Sequence, residues 1–249
     1  QDNGLIYRGG LDWPQMHSVM KTFSDTLISF GFPPCPGNIM VSNPEWVNST
    51  TQWTEKLTRW SKSFEGEATM NLAIASDSKP VAGNTALFKV ARNSFFRRIQ
   101  DNEIFFAHFA KAAIRFDTPL TFFGRLKGGA GLDIKKAGVF PIVHGVRAIA
   151  LEHKIAETNT FRRLELLVEK GAMQKEFADN LSEALSYFVQ VRLQQQIERY
   201  SGDPTEIDQI PNELDIKLLT ALERQLLRDG LTVVKDFKKY LVHRYHLNY

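Results

Sequence analysis

Cysteine is nearly absent from this sequence of 249 residues, and the single exception is Cys35. One thiol cannot form an intramolecular disulfide, and it cannot supply a thiolate-rich metal site. The low cysteine content therefore excludes both kinds of cross-link, and it predicts a reducing compartment, the cytoplasm.

The sequence also lacks long apolar runs and an excess of charge of either sign. No run approaches the ~20 apolar residues that cross a bilayer, so we expect no membrane segment. Lysine and arginine number 31 against 28 aspartate and glutamate residues, which gives a net charge of +3. Because the two signs are interspersed, this small excess is too weak to argue for nucleic acid, which we do not expect as a partner.

The first ten residues, QDNGLIYRGG, lack the Met, signal segment or polar tail of a natural start. Their apolar run before two glycines is typical of a β-strand that follows a turn. We therefore expect the chain to be a fragment that begins inside a strand.

Apolar residues at helical spacing dominate the rest of the chain. The pattern predicts a first helix from Met16 to Phe30, a tryptophan-bearing core stripe after it, and one central strand from Met70 to Ser76. No strand is predicted from Asn84 onward. Near the C-terminus, the helices are predicted over 214–227 and 231–241.

These elements predict an α+β fold, with a truncated α/β sheet over residues 1–100 and an all-helical bundle over 101–249. Two long loops interrupt it, GFPPCPGNIMVSNPEW and TPLTFFGRLKGGAGLDIKKAG. The GGAG of the second loop suggests a phosphate loop, but no strand precedes it and no Gly-Lys-Ser ending follows. A flexible turn is the favoured interpretation.

Two carboxylates have positions that suggest chemistry. Asp2 precedes the first strand, and Asp77 follows the predicted central strand. Carboxylates at the ends of neighbouring strands could together hold Mg²⁺, a hard cation that prefers oxygen ligands. A turn-forming aspartate is an equally good interpretation of Asp77 alone.

In the helical half, basic residues interrupt apolar stripes. The stripe of Leu181, Leu185 and Phe188 continues through Arg192 to Gln195 or Gln196. Arg147 raises the same question, because it lies between apolar residues of another helix. A buried arginine is costly unless it is paired, so each is either a structural ion pair or part of a substrate groove.

Several motifs in order resemble a known family. They are GFPPCPGNIMVSNPEW, SDSKPVAGN, TPLTFFG, LDIKKAGVFPIVHGVRAIAL, NTFRRLELL and VRLQQQ. With the opening DNGLIY, they resemble signal-transduction nucleotidyltransferases of the DNA polymerase beta superfamily, which follow cyclic-nucleotide-binding and CBS domains. These proteins are similar to the uridylyltransferase that modifies the nitrogen-regulatory PII protein.

The resemblance implies roles for individual residues. Asp2 matches the second metal-binding aspartate and Asp77 the third carboxylate, while the first aspartate and a Gly-Ser motif are absent. Lys79 stands where the family usually has arginine, and it could still face a triphosphate as a point charge. His144 stands where an acid is common.

The function that the resemblance implies is Mg²⁺-dependent transfer of a nucleotidyl group from an NTP to a protein or small-molecule acceptor. The truncated α/β sheet is then part of a nucleotidyltransferase domain, and the helical half binds the substrate. The alternative is a regulatory module that senses a nucleotide or binds a partner without turnover. A purely structural helical scaffold leaves Asp77 and the proline-rich loop unexplained.

Overall fold

The computed structural model describes residues 2–63, 65–121, 125–126, 131–200, 202 and 213–247. The fold is α+β, with a few short strands and a helical C-terminal bundle. The chain forms two compact units. Unit 1 comprises the described residues within Gln1–Lys62, Lys79–Arg98 and Tyr200–Ile210, and unit 2 those within Ser63–Ser78, Ile99–Arg199 and Pro211–Tyr249.

Unit 1 contains a small parallel sheet. Strand β1 (Leu5–Tyr7) pairs with β2 (Val47–Ser49), and helix α1 (Met16–Ser29) lies between them in the sequence. A parallel pair needs such a long crossover connection, so the two strands and α1 form a small α/β unit as predicted. Two further helices of this unit are α2 (Thr50–Lys62) and the part up to Arg98 of α4 (Thr85–Ile99).

The tryptophan stripe is a core cluster, as predicted. Trp46 lies in a short 3₁₀ turn, and its ring centroid is 5.6 Å from that of Trp53 and 5.8 Å from that of Trp60 on α2. Beside this cluster, the buried Lys56 donates hydrogen bonds to the carbonyl and the carboxylate of Glu45. The proline-rich loop is therefore ordered against α2.

The predicted strand from Met70 to Ser76 is wrong, because this segment belongs to helix α3 (Gly66–Ser76). Its buried residues, Ala68, Leu72, Ala73 and Ser76, follow one another at intervals of four, one and three positions, which places them on one face of a helix. The segment is rich in Ala, Met and Leu, which are strong helix formers. Apolar residues on the other faces of α3 concealed this period in the sequence.

Unit 2 is a bundle of helices. After α3 it contains α5 (Glu103–Lys111), α6 (Phe140–Glu152), α7 (Thr160–Glu169), α8 (Lys175–Arg199) and α9 (Ala221–Arg244). Helices α8 and α9 pack antiparallel, since the Tyr187 hydroxyl donates to the Glu223 carbonyl while Phe177 contacts Phe237. The bundle predicted for the C-terminal half is confirmed.

The C-terminal bundle differs from the prediction in two details. Residues 221–244 form one continuous helix where two were predicted. Gly230 does not end the helix; it leaves room for the Phe188 ring, which packs against α9 at this position. A Cβ at position 230 would lie 2.9 Å from Phe188 Cζ. Two-residue strands β3 (Leu132–Asp133) and β4 (Glu213–Leu214) also pair antiparallel, where no strand was expected.

The helices that the structure describes include none with the length and apolar content needed to span a bilayer.

Candidate functional site

Asp2 lies at the beginning of unit 1 and is exposed to solvent. The adjacent Asn3 fixes the backbone, because its N–H donates to the Ile39 carbonyl and its side-chain Oδ1 accepts from the Val41 N–H. Gly4 then passes close to Trp46, whose carbonyl would be 3.1 Å from a Cβ at position 4. The backbone next to Asp2 is thus held in place, while its carboxylate faces water.

Asp77 has the opposite environment. It follows the last residue of α3 and belongs to unit 2, where two arginines bind its carboxylate. Arg147 donates from Nε and Nη2 to Oδ2 over 2.9 and 2.7 Å. Arg163 donates from Nη2 to Oδ1 over 2.5 Å and from Nη1 to Oδ2 over 3.4 Å. Asp77, Arg147, Arg163 and His144 are called the Asp77 cluster below.

Arg163 is almost fully enclosed, with a side chain only 1% exposed. It lies in the first turn of α7, which begins after the capping residue Asn159. The Glu157 carboxylate accepts from the N–H groups of Thr158 and Asn159, and the Glu157 carbonyl accepts from Arg163 Nε at 2.7 Å. The loop before α7 therefore both starts the helix and orients the guanidinium.

His144 completes the cluster on α6. Its Nε2 donates to the Phe109 carbonyl at 2.7 Å, and its Nδ1 accepts from Arg147 Nη1 at 3.1 Å. Burial and the nearby Arg147 lower the pKa of His144 to about 4, although the bond to Phe109 acts in the other direction. At neutral pH the ring is uncharged, so it can accept from Arg147 where a protonated imidazole could only donate.

Asp77 stays ionised despite its enclosure. Burial by itself would raise the pKa of this carboxyl, but the charges and hydrogen bonds of Arg147 and Arg163 outweigh burial and lower the pKa below its ordinary value. An opposite charge in direct contact favours the charged form of a carboxyl group. The cluster is therefore a network of two guanidinium groups, one carboxylate and a neutral imidazole.

The surroundings of Asp77 do not fit a magnesium site. An ionised carboxylate has about four lone-pair positions. At Asp77, three N–H groups of the two arginines contact Oδ2 and a fourth contacts Oδ1. Among the residues that the structure describes, no three His, Cys, Asp or Glu side chains come together in a way that could hold a metal ion.

The other predicted site residues have varied environments. Arg147 is ion-paired with Asp77, which is one of the two alternatives that the sequence left open. Lys79 is exposed and belongs to unit 1. On α8, Arg192 and Gln196 are half-buried and Gln195 is buried. Lys135 and Lys136 are exposed.

Sequence reasoning missed Arg163, the central basic residue of the cluster. The signal was present in TNTFRRLELL, because position 163 lies on the same helical face as Thr160 and Leu167. All three residues are buried. An arginine on a buried helical face requires an anionic partner. For Arg163 that partner is Asp77, which lies 86 residues earlier in the chain.

Comparison of the sequence with known proteins identifies the family of this chain. A search among curated proteins found no match. Residues 1–67 match the family described as "Putative nucleotidyltransferase DUF294". Residues 103–245, more than half of the chain and most of unit 2, match the family described as "Putative nucleotidyltransferase substrate binding domain". The chain therefore belongs to this family of nucleotidyltransferases, and its helical bundle is the domain that the family description assigns to substrate binding.

Proposed function

We propose that the protein transfers a nucleotidyl group from an NTP to a protein or small-molecule acceptor, and that the helical unit binds the substrate. The order of the two family matches carries this proposal. A nucleotidyltransferase segment at residues 1–67 precedes a substrate-binding domain at residues 103–245. The small parallel sheet of unit 1 supports it, because an exposed carboxylate precedes the first strand.

The proposal includes Mg²⁺, which the superfamily resemblance implies for the reaction. Such an ion neutralises charge on the triphosphate. Asp2 is the ligand that we propose in this chain, since its carboxylate faces solvent. Lys79, also exposed, is proposed to face the triphosphate. The described residues do not assemble the metal site, so no step of the reaction is assigned to the ion.

Two half-buried residues of α8 are proposed to contact the substrate. Arg192 and Gln196 both lie in the domain that matches the substrate-binding family. An arginine can bind phosphate or carboxylate through two parallel hydrogen bonds, and a glutamine amide can both donate and accept. Arg147 remains a third candidate, although its guanidinium is engaged by Asp77 and His144.

The cellular setting is proposed from the resemblance alone. It implies a role in signal transduction in the cytoplasm, with CBS or cyclic-nucleotide-binding domains ahead of the transferase. It also implies an activity similar to that of the PII uridylyltransferase.

Labelling with each of four NTPs tests the transfer. Full-length protein is incubated with one α-³²P-labelled NTP, Mg²⁺ and a cell extract as the source of acceptor. We expect label to appear on an acceptor from a preferred NTP and to be lost with EDTA. Absence of transfer from all four NTPs, with NTP binding retained, would overturn the proposal in favour of the alternative.

That alternative is a regulatory module that binds a nucleotide or a partner without turnover. The engagement of Asp77 by two arginines favours it, because the carboxylate is not free for metal-assisted chemistry. Equilibrium dialysis with non-hydrolysable NTP analogues measures the binding directly. Binding without transfer supports the module, and failure of both measurements contradicts both functions.

A further inference from the structure

We infer that Asp77 is an anchor of the helical unit, bound by Arg147 and Arg163, and is not a ligand of the metal ion in nucleotidyl transfer. Asp77 has this role in unit 2 whether or not the protein transfers a nucleotidyl group. The two tests therefore measure stability and spectroscopic signals, which do not depend on the transfer reaction.

The hydrogen bonds that the Asp77 carboxylate accepts hold it in the cluster. Four N–H groups approach its two oxygens, and three of the four contacts are 2.5–2.9 Å long. Paired contacts between guanidinium and carboxylate groups are among the strong hydrogen bonds of proteins. Three of the contacts end on Oδ2 and one on Oδ1, so a metal ion that used both oxygens would have to displace an arginine, and one bound to Oδ1 alone would lie beside the Arg163 guanidinium.

The net charge of the Asp77 cluster also opposes the binding of a metal ion. Two guanidinium groups against one carboxylate and a neutral His144 leave the cluster with one excess positive charge. Arg163 is 1% exposed and Arg147 12% exposed, so solvent screens this charge poorly. A divalent cation at Asp77 would therefore meet repulsion from both arginines, in addition to the loss of their hydrogen bonds.

The connectivity shows what the anchor joins. Asp77 ends α3, Arg147 lies on α6, and Arg163 lies in the first turn of α7. The Asp77 carboxylate thus joins three helices of unit 2. Asp77 is the next-to-last residue of Ser63–Ser78, the first segment of this unit. If the transfer reaction uses a third carboxylate, another residue must supply it.

Thermal melting without metal provides the first test. In Asp77→Asn, an amide NH₂ would face guanidinium N–H groups, so donors would oppose donors. We expect the melting temperature in EDTA to fall by roughly 10 °C, and Mg²⁺ not to restore it. The matched control is Asp179→Asn, which removes an exposed carboxylate paired with Lys175 on α8. An Asp77→Asn protein that melts like the parent in EDTA would overturn the inference.

Nuclear magnetic resonance on the parent protein provides a second test that does not depend on a folded variant. The protein is labelled uniformly with ¹³C and ¹⁵N, and the side-chain carboxyl signal of Asp77 is assigned through its scalar couplings to the Asp77 backbone signals of the parent protein. Paramagnetic Mn²⁺ broadens the signals of carboxylates that it binds. We expect Mn²⁺ to broaden the Asp77 signal no more than that of Asp179, whereas earlier broadening of Asp77 would show that it binds the metal.

Discussion

Asp2 and Asp77 are both carboxylates for which the resemblance implies metal binding, yet their surroundings differ. Asp2 is exposed beside a backbone fixed by Asn3. Asp77 is enclosed by Arg147 and Arg163 and accepts four N–H contacts. A motif position therefore predicts the residue type, whereas burial and neighbouring charges determine which chemistry the residue can perform.

The two units also differ in how they use ionic groups. In unit 1, Lys56 pairs with Glu45, whose side chain is 72% exposed. In unit 2, the Asp77 cluster is largely enclosed, with 24% of the Asp77 side chain exposed. Lys56 itself is buried, but solvent reaches the exposed Glu45 carboxylate and weakens this pair, while the loss of one partner of an enclosed pair leaves an uncompensated charge. The predictions below test whether this difference holds.

The largest effect is expected from Arg163. Arg163→Ala removes the guanidinium that binds Asp77 Oδ1 and the Glu157 carbonyl. Because these partners would be left in an enclosed site, we expect the free energy of unfolding to fall by about 3–5 kcal/mol. Urea denaturation measured by circular dichroism gives this value directly.

The neighbouring arginine supplies the control for that change. Arg162 is 47% exposed and pairs with Glu165 and Glu169 on the surface of α7. Arg162→Ala should destabilise the protein much less than Arg163→Ala, because solvent screens this exposed pair. Equal losses from the two substitutions would mean that enclosure does not distinguish the cluster from a surface ion pair.

The second effect is a dependence of stability on pH through His144. Its pKa is about 4 in the folded protein and near 6.5 when exposed, so the unfolded state binds more protons between these values. The contribution to stability is therefore complete above pH 6.5 and is lost as the pH falls toward 4. With each pKa unit worth 1.36 kcal/mol, the loss is about 3 kcal/mol.

Urea denaturation from pH 4 to pH 7 measures this dependence. His144→Gln keeps a neutral group that can donate and accept hydrogen bonds, so the curve of this variant should be flatter over that range. His17→Gln changes an exposed histidine of α1 and should leave the curve of the parent unchanged. An unaltered slope in His144→Gln would show that the histidine does not couple folding to protonation.

The ion pair of unit 1 should respond less. Glu45→Gln removes the charge that Lys56 contacts at 2.9 Å, but Lys56 keeps its hydrogen bond to the Glu45 carbonyl. Because Glu45 is mostly exposed, we expect a loss below about 1 kcal/mol, measured by urea denaturation. A loss as large as that of Arg163→Ala would contradict the proposed difference between the units.

Much of the fold was predictable from the sequence because local signals agreed with packing. The spacing of Trp53 and Trp60 indicated a core face, and the apolar residues at helical spacing indicated the helices of the C-terminal bundle. The Asp77 cluster was not predictable as a whole, since its acid and Arg163 are 86 positions apart. The strand predicted before Asp77 failed because apolar residues surround α3 and hide its period.

The smallest effect on stability is expected at Asp2. Its carboxylate is exposed and makes no hydrogen bond to the residues that the structure describes, so Asp2→Asn should change the free energy of unfolding by no more than about 0.5 kcal/mol. If Asp2 binds the metal ion of the proposed transfer, the same variant of the full-length protein should lose Mg²⁺-dependent labelling, since each ~1.4 kcal/mol of lost stabilisation slows the reaction tenfold. Melting curves and labelling with ³²P-NTP, measured on the same preparation, separate the two effects. Asp25→Asn, which changes an exposed carboxylate of α1, is the matched control and should affect neither. A stable Asp2→Asn protein that labels at the parental rate would remove Asp2 from the chemistry and leave both motif carboxylates without a metal-binding role.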